Sequence, residues 1–519
     1  MTQSPPQSAQ SSSTEHQSSM IWFALTTLLS AFLVFQVQPV ISKCVLPWFG
    51  GTPAVWTTCM LFFQVVLFSG YAYAHLSRTF LQPAMQGAVH LGLLCAALLC
   101  LPIEPSDTWK PNGDEAPAWY LLCLLGAHIG LPYFVLSSTG PLIQAWLSYR
   151  DSSDRVYRLY ALSNIGSLSA LLSYPFLIEP WISLTGQSTI WSMLFCLFVL
   201  AEGWLAVQLL KMVRNARNVR EGAAQTKTDG PTATTEVSPT WWKLAAWIGL
   251  PAFASASLLV VTNHVCQDIA VIPFLWVLPL SLYLLSFIIC FDSPRWYRPK
   301  AVAIVTLAAS TATLVGPHVL DSFQLFVLSI SYLTMLMGVC LLCHGEVARL
   351  KPPASRLTLF YMCMSGGGAL GGFLIAVACP FLFNRHTELP IVVISAAIGS
   401  FLLFYACREW GPTSSWKIQG FDWSRPYRMR YMAAAMLVLP GIASFFSSGE
   451  GLVMTSRNFF GVLKVTEVDQ QRRLVHGSTF HGRQWLGENS LEPTSYYGHE
   501  SGVGLAMKTL QSGNDELSI

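Results

Sequence analysis

Long apolar runs recur along most of this chain, and they constrain its fold more than any other feature. A helix needs about 20 apolar residues to cross the hydrocarbon core of a bilayer. Runs of that kind repeat from Met20 to about Ser447, and only 11% of the residues are charged, against roughly 25% in soluble proteins. The sequence therefore predicts a polytopic integral membrane protein, an all-α bundle of about 12–13 transmembrane helices.

Thirteen candidate spans follow from these runs. They begin near Met20, Ala54, Met85, Ala118, Val156, Thr189, Trp242, Ile269, Ala301, Phe323, Leu357, Leu389 and Tyr431. Residues 1–19 are polar and carry no Lys or Arg, so we expect a disordered tail and not a cleaved signal peptide. The predicted organisation is a first six-helix half at 20–210, a cytoplasmic linker at 211–241, a second six-helix half at 242–407, a basic loop at 408–430, a candidate thirteenth span at 431–448 and a β-rich region at 449–519.

The distribution of positive charge predicts the orientation in the membrane. Twenty-one Lys and Arg residues lie in loops after even-numbered spans, whereas loops after odd-numbered spans hold only Lys43, Lys110 and Arg385. Because Lys and Arg collect on the cytoplasmic side, we expect a cytoplasmic N-terminus and linker, in the inner membrane if the protein is bacterial. The small net charge of +3 gives no indication of nucleic-acid binding, so the expected partner is the lipid bilayer.

Two pairs of spans repeat each other with an offset of six spans. Phe62, Val65, Ser69 and Tyr71 are matched by Phe274, Val277, Ser281 and Tyr283, and Tyr160 with Gly166 is matched by Tyr361 with Gly367. Parallel six-helix repeats joined by a linker are the plan of major-facilitator transporters. Chance similarity between apolar segments is the alternative explanation of these matches.

Polar residues deep in predicted spans are costly in lipid and usually face the interior of a bundle. The candidates for a substrate-binding site are Asn164, Asn263, His264, Asp268, Gln36 and Gln38. Close helix packing around Asn164 and a solvated loop at 263–268 are the alternatives. We expect Asn164 and the group at 263–268 to face the interior between the two halves.

One short motif resembles a cofactor-attachment site. Cys340, Cys343 and His344 match the C-x-x-C-H pattern of covalent haem. The motif ends an apolar run beside a basic loop expected in the cytoplasm, and no second haem feature accompanies it. We therefore expect helix-end packing there, and we expect no metal site and no cofactor.

The C-terminal sequence resembles a known family. The segments SRNFFGVLKV, RRLVHGSTFHGRQ and EPTSYYGHESGVGLAM resemble the N-terminal β-region of spermidine synthases, in the variety that is fused to a membrane domain. The segments YRLYALSNIGSL, CHGEVARL and SGGGALGG resemble the major-facilitator-like membrane half of those fused proteins. The resemblance implies a protein that moves or handles polyamines or related small solutes, and a remnant site at Tyr497, His499 and Glu500.

The catalytic half of that family has no counterpart in this sequence. Aminopropyl transfer needs a Gly-rich strand–helix turn for decarboxylated S-adenosylmethionine, and Gly502-Val-Gly504 has no preceding strand. We expect an incomplete spermidine synthase-like β-region and no catalytic residues, hence no aminopropyltransferase activity from this chain alone. Decarboxylated S-adenosylmethionine would be a co-substrate only if another chain supplied the missing domain.

Three functions remain open at this point. The first is a transporter of small solutes, including small amines. The second is a membrane-anchored aminopropyltransferase component that needs a separate catalytic chain, and the third is a scaffold that transports nothing. Carboxylates facing a central cavity would favour cation transport, whereas a cavity sealed by aromatic side chains would favour the scaffold.

Overall fold

A computed structural model describes residues 7–148, 155–222, 239–268, 273–315, 324–353, 356–406, 451–477 and 479–511. Helices dominate it. They are α1 Gln7–Val45, α2 Pro53–Phe80, α3 Pro83–Leu98, α4 Pro117–Leu125, α5 Leu131–Ser148, α6 Arg155–Ser173, α7 Leu184–Gly222, α8 Trp241–Asp268, α9 Pro273–Asp292, α10 Pro299–Val315, α11 Gln324–Arg349, α12 Leu357–Phe373, α13 Cys379–Leu382, α14 Glu388–Ala406 and α15 Gly502–Gln511.

Three short π-helical segments extend the membrane helices. Gly126–Gly130 joins α4 to α5, Tyr174–Ile178 continues α6, and Leu374–Ala378 joins α12 to α13. With these joins, eight helices within the described ranges are long and apolar enough to cross a membrane, and four shorter apolar helices accompany them. Six of the twelve precede residues 223–238 and six follow. The predicted fold class, an integral membrane bundle of six plus six helices, is confirmed.

Contacts between helices repeat from the first half, α1–α7, to the second half, α8–α14. In the first half α1 packs on α6, α2 on α5, and α3 on α7. In the second half α8 packs on α12, α9 on α11, and α10 on α14. Each of these pairs is its counterpart shifted by six spans. The contacts between the halves, α2 on α12 and α6 on α9, are also exchanged by that shift, so a pseudo-two-fold relation links the halves.

The matched glycines of the sequence repeat have equivalent packing roles. A Cβ atom on Gly166 of α6 would lie 2.7 Å from the backbone oxygen of Leu28 on α1. A Cβ atom on Gly367 of α12 would lie 2.2 Å from the backbone oxygen of Ile248 on α8. Because real Cβ atoms do not approach backbone so closely, these two crossings require the missing side chain. The weak sequence repeat therefore reflects helix packing.

Two predicted segments differ from what the structure describes. The backbone of residues 7–19, expected to be a disordered tail, continues α1, because a helix already fixed at Met20 extends at little cost until the prolines at 5 and 6. Likewise α7 runs on to Gly222, into the segment expected to be linker. The basic loop at 408–430 and the candidate thirteenth span at 431–448 lie outside the described residues.

The C-terminal region forms a four-stranded antiparallel sheet in the order β1-β2-β3-β4. The strands are β1 Leu452–Asn458, β2 Gly461–Val468, β3 Gln471–His476 and β4 Thr479–Trp485. Asp469 and Gln470 both have positive φ, as a two-residue hairpin turn requires. Only two strands are apparent from the sequence, where the structure has four. Gly477, at φ +62°, separates β3 from β4, which the sequence suggests as a single strand. The polar end of β1 hides the alternation of apolar and polar residues in that strand.

The sheet packs against one end of the bundle. Arg457 of β1 donates hydrogen bonds to both carboxylate oxygens of Glu388, at 2.7 and 3.0 Å, and to the carbonyl of Arg385 at 2.8 Å. The Phe460 ring lies near Gly50, between α1 and α2, so the sheet contacts both halves. We call this the sheet end. The opposite end, where α7 ends and α8 begins, is the linker end.

Candidate functional site

A cavity lies between the two halves of the bundle. It holds about 1320 Å³ of space free of protein atoms, including its mouth. Helices α1, α2, α5 and α6 line it from the first half, and α8, α9 and α12 line it from the second. Its lining reaches Gln144, Ser163 and Phe287, all within a few turns of the linker end. The site is thus central between the halves, where transporters of this architecture bind solutes.

The sequence repeat brings matched residues to this cavity from both sides. Tyr71 and its counterpart Tyr283 both line it. Asn164 lines it from α6, and Ser365, which takes the equivalent place on α12, lines it from the other half. The pseudo-two-fold relation between the halves therefore passes through the cavity.

The cavity wall carries side-chain amides and aromatic rings among aliphatic and serine side chains. The amides are Gln38, Gln64, Gln144 and Asn164, and the rings include Phe63, Tyr71, Tyr133, Tyr283, Phe287 and Tyr361. Among the described lining residues there is no Asp, Glu, Lys, Arg or His. Such a wall can donate and accept hydrogen bonds and can present ring faces, but it offers no ion pair to a charged solute.

Gln38 is the best-placed polar group in this wall. Its Nε2 atom donates to the Tyr133 hydroxyl at 3.0 Å, which fixes the amide. Its Oε1 atom is buried and has no hydrogen-bond partner. A buried unpaired acceptor costs about 1–3 kcal/mol, so a donor group on a bound solute would recover that cost.

Gln64, in the cavity wall, also joins the two halves. Its Nε2 atom donates to Ser255 Oγ at 2.8 Å, and Ser255 Oγ in turn donates to the carbonyl of Gly368 at 2.9 Å. This chain links α2 of the first half to α8 and α12 of the second. It is a polar contact within the interface between the two halves.

The sheet end of the interface is closed by two contacts between the halves. Trp56 of α2 and Trp276 of α9 stack with ring centroids 4.9 Å apart, and they are 2% and 0% exposed. Beside them, the Thr57 hydroxyl donates a hydrogen bond to Asn263 Oδ1 on α8. We call these four residues the sheet-end gate. Since the gate seals one end, the cavity extends toward the linker end.

The predicted binding residues are distributed between three places. Asn164 and Gln38 line the cavity, and Asn263 belongs to the sheet-end gate. His264 lies within the second half, its ring edge-on to Tyr332 at 4.9 Å, and Gln36 is buried outside the cavity lining with neither amide atom hydrogen-bonded. The side chain of Asp268 lies outside the described part of the chain. Whether any of these residues binds a solute stays a prediction.

The remnant site implied by the family resemblance lies on the surface of the β-region. Tyr497 is 59% exposed, and His499 and Glu500 are exposed as well. They occupy the turn between β4 and α15, away from the central cavity.

The haem-like motif is packed inside the second half. His344 lies 2.7 Å from Ser286 Oγ through its Nδ1 atom, and its ring stacks on Phe287 with centroids 3.6 Å apart. Cys340 and Cys343 are buried beside it. Within the described residues no group of three or more His, Cys, Asp or Glu side chains could hold a metal ion.

Sequence reasoning missed Tyr133, Gln144 and most of the aromatic wall. The single available signal was the matched pair Tyr71 and Tyr283, which the repeat marks as equivalent. Tyr133 and Gln144 lie on α5, for which no repeat match was detected.

No protein-family model and no curated protein sequence matches the chain. Solved structures of membrane transporters match parts of it. A bacterial homologue of the iron transporter ferroportin in an outward-facing state is 15% identical, with a TM-score of 0.47 and 74% of this chain and 97% of that chain covered. A peptide transporter is 15% identical, with a TM-score of 0.45 and coverages of 75% and 94%. A major-facilitator proton:xylose symporter is 11% identical, with a TM-score of 0.43 and coverages of 75% and 95%. At these identities the likeness does not extend to the solute.

Proposed function

We propose that this protein is a transporter of a small organic solute that works by alternating access between its two halves. The observation that carries the proposal is the cavity, which lies at the interface of two repeated six-helix halves and is closed at the sheet end. A scaffold has no use for a cavity between two repeated halves into which amide and aromatic side chains point. The cavity therefore favours transport over the scaffold function.

We further propose that the solute is a polyamine or a related small amine. The family resemblance suggests this class, and the cavity supplies groups that suit it. An ammonium group can lie against the faces of Tyr71, Tyr283 and Phe287, an attraction of about 0.5–2 kcal/mol per ring. Gln38 Oε1, which is buried, would accept a hydrogen bond from it once the amide turns toward the cavity. The described lining residues include no carboxylate, which would have favoured a cation, so the amine proposal rests on the family resemblance and on the aromatic rings. The cavity suits amines of low charge, because each further ammonium would enter without a counter-charge.

Uptake into liposomes containing the purified protein tests this proposal. We expect saturable uptake of radiolabelled putrescine that unlabelled putrescine inhibits, that spermidine with its further ammonium group inhibits less, and that an uncharged polyol of similar length does not inhibit. Replacing Gln38 by Leu should raise the KM for uptake, because the solute then faces an apolar group in place of an acceptor. Ser192→Ala on α7, outside the cavity lining, is the control and should leave uptake unchanged.

Two outcomes would count against it. Uptake of the polyol with no effect of amines would refute the amine as substrate while leaving transport intact. Liposomes that take up none of these solutes faster than protein-free liposomes would favour the scaffold. The enzymatic alternative, a membrane anchor for a catalytic chain, would require co-purification of that chain with this one.

A further inference from the structure

An ionisable pair is fully buried inside the first half, away from the cavity lining. His90 of α3 and Glu202 of α7 are both 0% exposed, and His90 Nε2 lies 3.1 Å from Glu202 Oε1. The Thr139 hydroxyl on α5 donates to the second carboxylate oxygen of Glu202 at 2.8 Å. Both oxygens of the carboxylate are therefore held, each by a different helix.

Aromatic and amide side chains surround the pair. Tyr73 of α2 lies over the His90 ring with centroids 6.1 Å apart, and Trp146 of α5 meets that ring edge-on at 5.7 Å. The Trp146 indole donates to Gln86 Oε1 at 3.3 Å. Besides the pair, Tyr73 is the titratable group that faces the site, and in the described part of the chain no Lys or Arg pairs with Glu202.

The net charge of the pair depends on how many protons it holds. With one proton shared between the imidazole and the carboxyl, the site has no net charge in either arrangement of that proton. Removing the proton would leave a lone carboxylate in an apolar site, and adding a second would leave a lone imidazolium. Each of these states costs several kcal/mol without water.

The pair is connected to the central cavity through α5. Thr139, which holds Glu202, is followed directly by Gly140, Pro141 and then Gln144, all three of which line the cavity. A shift of α5 against α7 would break the Thr139 bond and expose the carboxyl. Where α5 shifts in this way together with the cavity wall, proton exchange and solute exchange share one moving element.

We propose that the His90–Glu202 pair is a proton-binding site and that release of its proton is coupled to solute movement through α5. The inference deepens the proposed function and rests on it, since it names the coupling ion for that transporter. His90 Nδ1 is buried without a hydrogen-bond partner, so it can bond a water molecule that enters when the site opens.

Two transport measurements on the same liposomes test this. The first is exchange of radiolabelled putrescine for internal unlabelled putrescine without a pH gradient, which needs no net proton movement. The second is accumulation of putrescine under a pH difference of one unit, with the membrane potential clamped and passive trapping in protein-free liposomes subtracted. One proton per solute molecule predicts about a tenfold accumulation in one direction of the gradient.

The Glu202→Gln variant should affect exchange and accumulation differently. Gln can still accept from Thr139 and contact His90, but it cannot release a proton. We expect exchange to persist and the tenfold accumulation to be lost. Glu346→Gln is the matched control, because Glu346 of α11 is another buried carboxyl. It accepts a hydrogen bond from the Tyr297 hydroxyl at 2.9 Å. The Glu346→Gln variant should retain accumulation.

Accumulation by Glu202→Gln at the wild-type level would overturn the proposal, as would a wild-type protein that exchanges putrescine but does not accumulate it under the pH gradient. If the wild-type protein exchanges no putrescine, the proposed substrate fails, and infrared spectroscopy of the purified protein at different pH values still tests the site. A protonated-carboxyl band that is lost in Glu202→Gln and kept in Glu346→Gln supports it. An identical spectrum in both variants and wild type contradicts it.

Discussion

Replacing Arg457 by Ala should detach the β-sheet from the membrane bundle. The Arg457 and Glu388 side chains are only 7% and 5% exposed, and two hydrogen bonds of 2.7 and 3.0 Å join them. Removing one partner of a buried ion pair leaves an uncompensated charge, at a cost of about 3–5 kcal/mol. Because 1.4 kcal/mol corresponds to a factor of ten in an equilibrium constant, the ratio of docked to undocked sheet would fall by roughly a hundredfold to a few thousandfold.

Limited proteolysis of the purified protein measures this change through the rate of cleavage between β1 and α15. Arg472→Ala is the matched control, because Arg472 pairs with Glu467 on the same sheet but is 49% exposed, and exposed pairs contribute about 0–1 kcal/mol. The double variant Arg457→Met with Glu388→Met should dock better than Arg457→Ala, since an apolar pair buries no charge. Equal cleavage rates for Arg457→Ala and Arg472→Ala would refute the reasoning.

Three further predictions follow from the fold. A Cys introduced at Thr228 should react with a membrane-impermeant reagent only from the cytoplasm, and a Cys at Lys508 only from outside. The reason is that α14 ends at the linker end, whereas the sheet packs at the other end. Labelling of both positions from one side would contradict the topology. Gly371→Ala should destabilise the protein in detergent by about 1–3 kcal/mol, since its Cβ would lie 2.3 Å from the Ala252 carbonyl oxygen; Gly399→Ala, with open space around it, should unfold like wild type, and equal effects would refute the close crossing. The purified chain should form no spermidine from putrescine and decarboxylated S-adenosylmethionine, and turnover would reveal a site outside those described.

The membrane fold was predictable because its signals are local and periodic. Apolar runs place the spans, and the match of Tyr71 with Tyr283 anticipates two residues that line the cavity from different halves. The glycine match of Gly166 with Gly367 anticipates two equivalent helix crossings. Each apolar run, and each of the two segments compared in a match, is no longer than about 20 residues, the length of one span.

The site was less predictable because its contacts join distant segments. His90 and Glu202 are 112 residues apart in sequence, and each alone is a single polar residue in an apolar run. Asn263 was expected to face the interior between the halves, and its partner Thr57 is 206 residues away. No periodicity indicates which helices meet, so the sequence indicates that such groups are buried without indicating their partners.

Locking the sheet-end gate tests alternating access most directly. In a chain whose native cysteines are replaced, Thr57→Cys and Asn263→Cys would be joined by a short thiol-reactive cross-linker in liposomes, and putrescine exchange would be measured before and after cleavage of the cross-link. Alternating access predicts that cross-linking abolishes exchange and that cleavage of the cross-link restores it. Treatment with the cross-linker should not change exchange by either single-Cys variant. Undiminished exchange by the fully cross-linked protein would contradict the account, because solute would then cross without the gate ever opening.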